Sequence, residues 1–102
     1  AFYYARELTF YNKWLDAVVA LHKYLEMPEA NWVNERCYAY RLLAKSYEAL
    51  GQDGTSWLHK ACAEAPNTRE PWVELAEIYY KNKNYKWENM VDYLYNRIIV
   101  NL

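Results

Sequence analysis

A chain of 102 residues carries 12 Lys and Arg against 13 Asp and Glu, a formal charge of −1. That balance leaves no electrostatic footprint for nucleic acid or an anionic lipid surface. Hydrophobic content is 54% but mean hydropathy is −0.49, because 12 Tyr and 5 Trp join a large apolar body to a polar tip. With 2 Gly and 3 Pro, the chain reads as long helices rather than a turn-rich sandwich. No apolar run approaches the ~20 residues of a membrane span, and no signal peptide is read at the start. One domain spanning 1–102 with a single modest core is expected. The chain opens at Ala1, inside an aromatic-rich amphipathic pattern, which reads as a fragment of a longer protein.

Six helices follow in order. The first spans about Phe2 to Tyr11 and turns at Asn12-Lys13. The second spans Trp14 to Glu26, with Ala17, Val18, Leu21, Tyr24 and Leu25 in one apolar stripe. Met27-Pro28 ends it, since a residue before proline avoids helical angles. The third spans about Trp32 to Leu50. Asn31 is its expected N-cap, Gly51 its stop, and Val33, Cys37, Tyr40, Leu43, Ala44 and Tyr47 its buried side.

The fourth spans about Thr55 to Ala65, capped by Asp53 or Thr55 and closed by Pro66. The fifth starts at Asn67, with Glu70 placed for a capping box and Pro71 tolerated in the first turn. It ends near Lys81, and Asn82-Lys83-Asn84 turn into a sixth helix from about Tyr85 to Val100. Met90, Val91, Leu94, Tyr95, Ile98 and Ile99 form the sixth helix's apolar side.

The helices pair into three units, about 1–28, 31–66 and 67–102. Ala5, Ala44 and Ala76 take one position in the first helix of each, and Leu8, Tyr47 and Tyr79 follow three residues later. Leu43 and Leu75 precede the last two alanines. In the second helices Leu21, Leu58 and Leu94 correspond, as do Leu25, Cys62 and Ile98. A small residue lets the second helix approach, and the large one a turn on fills the groove beside it. The expected fold is therefore all-α: a right-handed superhelix (an α-solenoid) of three helical hairpins, each buried by its neighbours.

This pattern resembles the tetratricopeptide repeat, whose period is about 34 residues. The third unit matches best, with Trp72, Leu75, Ala76 and Tyr79 at the signature spacing. A narrower resemblance rests on Ala5-Arg6-Glu7, Trp14-Leu15-Asp16-Ala17, Glu35-Arg36, Trp57-Leu58, Ala63-Glu64-Ala65-Pro66 and Arg69-Glu70-Pro71-Trp72. These strings look like the helical-repeat region that follows the catalytic domain of some bacterial and phage family-2 glycosyltransferases. The resemblance implies a non-catalytic accessory or scaffold module; the two unclustered cysteines give a cytoplasmic setting as the default, and no motif calls for a cofactor. Such a module would brace an adjacent catalytic domain of the same chain, hold the acceptor or mediate self-association. No Asp-x-Asp string is present to hold a metal and a sugar diphosphate.

Kinship with tetratricopeptide arrays implies a concave binding face on the first helices. Position by position it would hold Phe2, Arg6, Thr9, Tyr38, Arg41, Lys45, Glu70, Val73, Glu77 and Tyr80, basic at one end and acidic at the other. The bland reading of these charges is a solvated face. The alternative function is a free-standing peptide-binding adaptor using this groove, although the family's carboxylate clamp lacks its Asn here. A third reading, single-stranded RNA held by aromatics, is disfavoured by the −1 charge.

Catalytic readings lack their parts. His22 and His59 have no ligand-spaced partners, Ser46 and Ser56 sit in no nucleophile elbow, and Gly51 and Gly54 form no phosphate loop. Cys37 and Cys62 read as buried apolar fillers in a reducing compartment. Trp14, Tyr40, Tyr47, Trp57, Trp72, Tyr79 and Trp87 read as core, and Tyr3, Tyr11, Tyr38, Tyr80 and Tyr93 as freer. The apolar C-terminal residues Ile98, Ile99, Val100 and Leu102 suggest either further chain or a homodimer.

Overall fold

A computed structural model describes residues 1–81, which form five helices and no strand. They are α1 (Phe2–Phe10), α2 (Trp14–Glu26), α3 (Val33–Ala49), α4 (Thr55–Glu64) and α5 (Arg69–Lys81). The expected sixth helix, with Trp87 and Tyr93, lies outside the described residues. Consecutive helices pack on one another, and α1 also touches α3. Among the described residues no helix is long and apolar enough to cross a membrane.

The breaks follow local chemistry. Asn12 turns the first hairpin at φ 58, a left-handed angle Asn tolerates better than most residues. Met27 leaves α2 with ψ 133, the extended value Pro28 demands. Gly51 takes φ 80 after α3, as a C-terminal stop does.

The caps differ from the sequence expectation. Trp32, not Asn31, is the N-cap of α3, with no side-chain capping bond. Gly54 caps α4. Its N–H donates to Glu48 Oε2 at 2.7 Å, and Asp53 Oδ1 accepts from the Thr55 N–H at 2.9 Å. α5 begins at Arg69, two residues beyond Asn67. The first-turn groups of α4 are thus served by α3 and by an Asx turn.

The core is built from small residues and leucines. Ala5, Ala17, Leu21, Ala39, Leu43, Ala61 and Leu75 are fully buried, and Ala44 and Ala76 nearly so. Small side chains permit close helix approach, which Gly54 takes to its limit. A Cβ there would lie 2.5 Å from the Ala44 carbonyl oxygen.

The expected buried side of α3 needs correction. Val33 is 47% exposed, whereas Ala39, Leu42 and Ser46 are buried. α3 has neighbours in α1, α2 and α4, so it buries a wider arc than one stripe. The aromatic expectation shifts as well. Trp14, Tyr40, Tyr47, Trp57, Trp72 and Tyr79 are only half-buried. Their rings line helix seams, and several polar tips find partners: Trp72 Nε1 donates to the Pro66 carbonyl at 2.9 Å.

Candidate interaction surface

The proposed face lies on α1, α3 and α5, and the structure joins part of it into a chain of contacts. Phe2 meets Tyr3 and Tyr38 edge-on, each with ring centroids 5.7 Å apart. The guanidinium of Arg6 lies 5.2 Å from the Tyr3 ring centre, and that of Arg41 lies 5.4 Å from the Tyr38 ring centre. Arg41 is also ion-paired to Glu74 of α5. Lys45 Nζ sits 5.8 Å from the Trp14 ring centre. The sequence thus yields a run of rings and cations from α1 across α3 to α5.

Not every expected residue is available to a partner. Phe2 is 7% exposed, held between Tyr24, Tyr3 and Tyr38. Thr9 is buried, and its hydroxyl donates to the Arg6 carbonyl. Tyr38, Lys45, Glu70, Glu77 and Tyr80 are exposed, while Arg6, Arg41 and Val73 are half-exposed.

Glu74 was not among the expected residues, and it alters the charge distribution. Its carboxylate answers Arg41, so the basic end of the face reduces to Arg6 and Lys45. Neither cation is ion-paired to a carboxylate among the described residues. Each has an aromatic ring beside it instead, a cation–π arrangement that holds a charge without neutralising it. Glu74 lies four residues after Glu70 and three before Glu77, so helical spacing was the signal for it. Beyond the pair, Lys45, Glu48, Glu74, Glu77, Ile78 and Lys81 line a cleft of about 250 Å³ between α3 and α5.

Of the side chains weighed as catalytic candidates, His22, His59 and Ser46 have hydrogen-bond partners within the fold, and Cys37 and Cys62 are buried. His22 Nε2 is 2.8 Å from the Tyr47 hydroxyl, and His59 Nε2 is 2.8 Å from that of Tyr79. Cys37 and Cys62 are buried free thiols. Burial pushes Cys62 up to about 12 and raises Cys37 as well, so neither is a ready thiolate nucleophile. The Ser46 hydroxyl donates back to the Leu42 carbonyl at 2.8 Å. Among the described residues Arg36 has the most side-chain hydrogen bonds. It donates to Glu64 at 3.0 Å, to the Ala30 carbonyl at 2.9 Å, to the Leu25 carbonyl at 3.2 Å and to the Tyr40 hydroxyl at 3.3 Å. Comparison of the chain with protein-family models, curated proteins and solved structures yields no match.

Proposed function

We propose that this chain is a non-catalytic interaction module. In this reading it is a right-handed array of tetratricopeptide-like hairpins, working in the cytoplasm as the accessory domain of a family-2 glycosyltransferase. The observation that supports it best is the recurrence of one packing unit. Ala5, Ala44 and Ala76 are all buried at equivalent positions, Leu43 and Leu75 are both fully buried just before them, and a His–Tyr pair recurs at each seam between hairpins. A recurring seam makes a long rigid surface, the property a scaffold needs.

Recovery of the surrounding reading frame tests the glycosyltransferase part; this reading expects a nucleotide-sugar-binding domain upstream. The interaction part is tested with that domain expressed separately. It should bind this chain, and the combined Arg6→Ala, Tyr38→Ala and Lys45→Ala variant should lose most of that binding. An unrelated upstream domain, or binding unmoved by the triple change, would defeat the proposal.

The ring-backed cations Arg6 and Lys45 favour a second reading, a free-standing adaptor for acidic peptides. A poly-Glu peptide should then bind the unmodified chain with a steep salt dependence. Charge reversal at Arg6 and Lys45 should abolish that binding.

A further inference from the structure

Helix α2 presents a stripe of Asp16, Val19, Ala20 and Lys23 at helical spacing, on the side away from the buried Val18 and Leu21. With Tyr4 of α1 these residues line an open cleft of about 390 Å³. Val19 and Tyr4 are each 64% exposed. Asp16 and Lys23 are exposed too, and Ala20 is half-buried.

The order of the two charges matters more than their sum. Asp16 and Lys23 stand two turns apart, about 10.5 Å along the axis, too far to pair with each other. Neither has another ion-pair partner among the described residues. A stripe with one acid and one base carries no net charge to select an acidic or a basic ligand. It does complement itself.

A half-turn about an axis midway between Val19 and Ala20 sets a second copy of α2 antiparallel to the first. Each Asp16 then stands level with Lys23 of the other copy. Val19 and Ala20 meet their own counterparts at the centre, where the small Ala20 permits close approach. The helix ends agree. Lys13 and Glu26 are both exposed and lie equally far from the same axis, so opposite charges stand level there as well. The antiparallel setting also brings each helix N-terminus beside the other's C-terminus, the favourable arrangement of their dipoles. A face that is its own complement about a twofold axis is what an isologous dimer requires.

We infer that this face of α2 is a self-association surface, on which two copies of the chain pair through antiparallel α2 helices. Reciprocal Asp16–Lys23 ion pairs flank a centre of Val19 and Ala20, and Tyr4 adds apolar area beside it. One helix stripe covers less than the ~800 Å² per partner of a standard interface, so the dimer is weak, with a dissociation constant on the order of 0.1 mM. The surface uses none of Tyr38, Arg41 or Lys45, and the inference does not rest on the glycosyltransferase reading.

Sedimentation equilibrium of the whole chain at concentrations around that value tests it. A monomer–dimer equilibrium is expected, weakening as salt screens the exposed pairs. Asp16→Lys alone and Lys23→Asp alone each set like charges level, and each should weaken the dimer about tenfold or more. An equimolar mixture of these two variants should recover the original affinity as a heterodimer. The chain carrying both changes should recover it as a homodimer. Recovery in the mixture also shows that the single variants are folded. Val19→Glu should weaken the dimer, and Tyr38→Glu should leave it unchanged. A monomer at every concentration overturns the inference. So does a dimer indifferent to the single charge changes, or one that neither the mixture nor the double change restores.

Discussion

His22 and Tyr47 tie the first hairpin to the second through a 2.8 Å hydrogen bond between the imidazole Nε2 and the phenol hydroxyl. Trp57 closes the arrangement. Its ring lies 5.6 Å from Tyr47 with an interplanar angle of 5°, and 5.0 Å from His22 at 73°. The next seam repeats the bond between His59 and Tyr79, at the same 2.8 Å. The two pairs share one sequence spacing. Tyr47 and Tyr79 each stand three residues after the seam alanine, and His22 and His59 each stand one residue after the buried leucine of a second helix.

Tyr47→Phe keeps the stack and removes the hydroxyl, so it should cost about 1 kcal/mol, the net worth of a typical hydrogen bond. Trp57→Ala loses the ring that both partners pack on. Because Trp57 is half-buried, its cost should approach but not reach the ~3–5 kcal/mol of a fully buried ring. Urea denaturation of the two variants checks the order. A Tyr47→Phe cost equal to that of Trp57→Ala would show that the stack contributes nothing beyond the hydrogen bond.

Arg36 should matter more than its half-exposed position suggests. Its fork holds the carbonyls of Leu25 and Ala30, and so fixes the link between α2 and α3, while its ion pair reaches Glu64 of α4. Bonds from a charged donor are worth ~1.5–3 kcal/mol each when removal strands a partner, but here solvent reaches both side chains and reduces that figure. Arg36→Ala should cost about 2 kcal/mol by the same principle. Arg36→Lys should recover only part of it, because an ammonium cannot reproduce the planar fork. Equal stability of Arg36→Lys and the original chain, by thermal melting, would count against the fork.

The buried alanines, the spans of the five described helices to within about two residues and the principal breakers were legible in the sequence, because each rests on local spacing or on one residue's backbone limits. α2 runs from Trp14 to Glu26 as the apolar stripe requires. Arg36, Glu74 and Gly54 were not legible as tertiary anchors. Each gains its role from a residue 10 to 33 positions away, and periodicity within one helix carries no such information. The aromatic residues were misread in degree for a related reason. Alanine brings the backbones so close that a large ring no longer fits between them, and the rings move out to the seams. Helical register placed Tyr38, Arg41 and Lys45 on one side of α3, but could not give the inward turn of Phe2 or the partner of Arg41.

Gly54 and Gly51 should respond oppositely in mechanism to alanine. At Gly54 a methyl would meet the Ala44 carbonyl oxygen at 2.5 Å, and that oxygen belongs to backbone. Overpacking of this kind costs about 1–3 kcal/mol. At Gly51 nothing lies within 4 Å, but φ is +80, so the cost is backbone strain of about 1 kcal/mol. Gly51→Asn should restore much of the second loss, since Asn tolerates left-handed angles, whereas Gly54→Asn should be no better than Gly54→Ala. Denaturation midpoints of the four variants test this. A harmless Gly54→Ala would refute the close approach of α4's start to α3.

Cys62 should make the chain weaken in alkali. Burial holds its thiol neutral and raises its folded pKa from 9.0 to about 12; Cys37 and Tyr24 are raised for the same first reason. The sign follows from which state sheds protons. The unfolded thiol ionises near 9.0, the folded one near 12, so between them the unfolded state is favoured by each unit of pH. The stabilisation is intact below the unfolded value and is lost as pH rises through the folded one. The urea midpoint should therefore be flat up to about pH 9 and fall above it, and a disulfide reagent should label both thiols slowly until urea opens the chain. The Cys37→Ala, Cys62→Ala variant should show a shallower fall, with Tyr24 and Tyr79, both raised by burial, left to supply the remainder. A fall of undiminished steepness would show that the buried thiols are not its source.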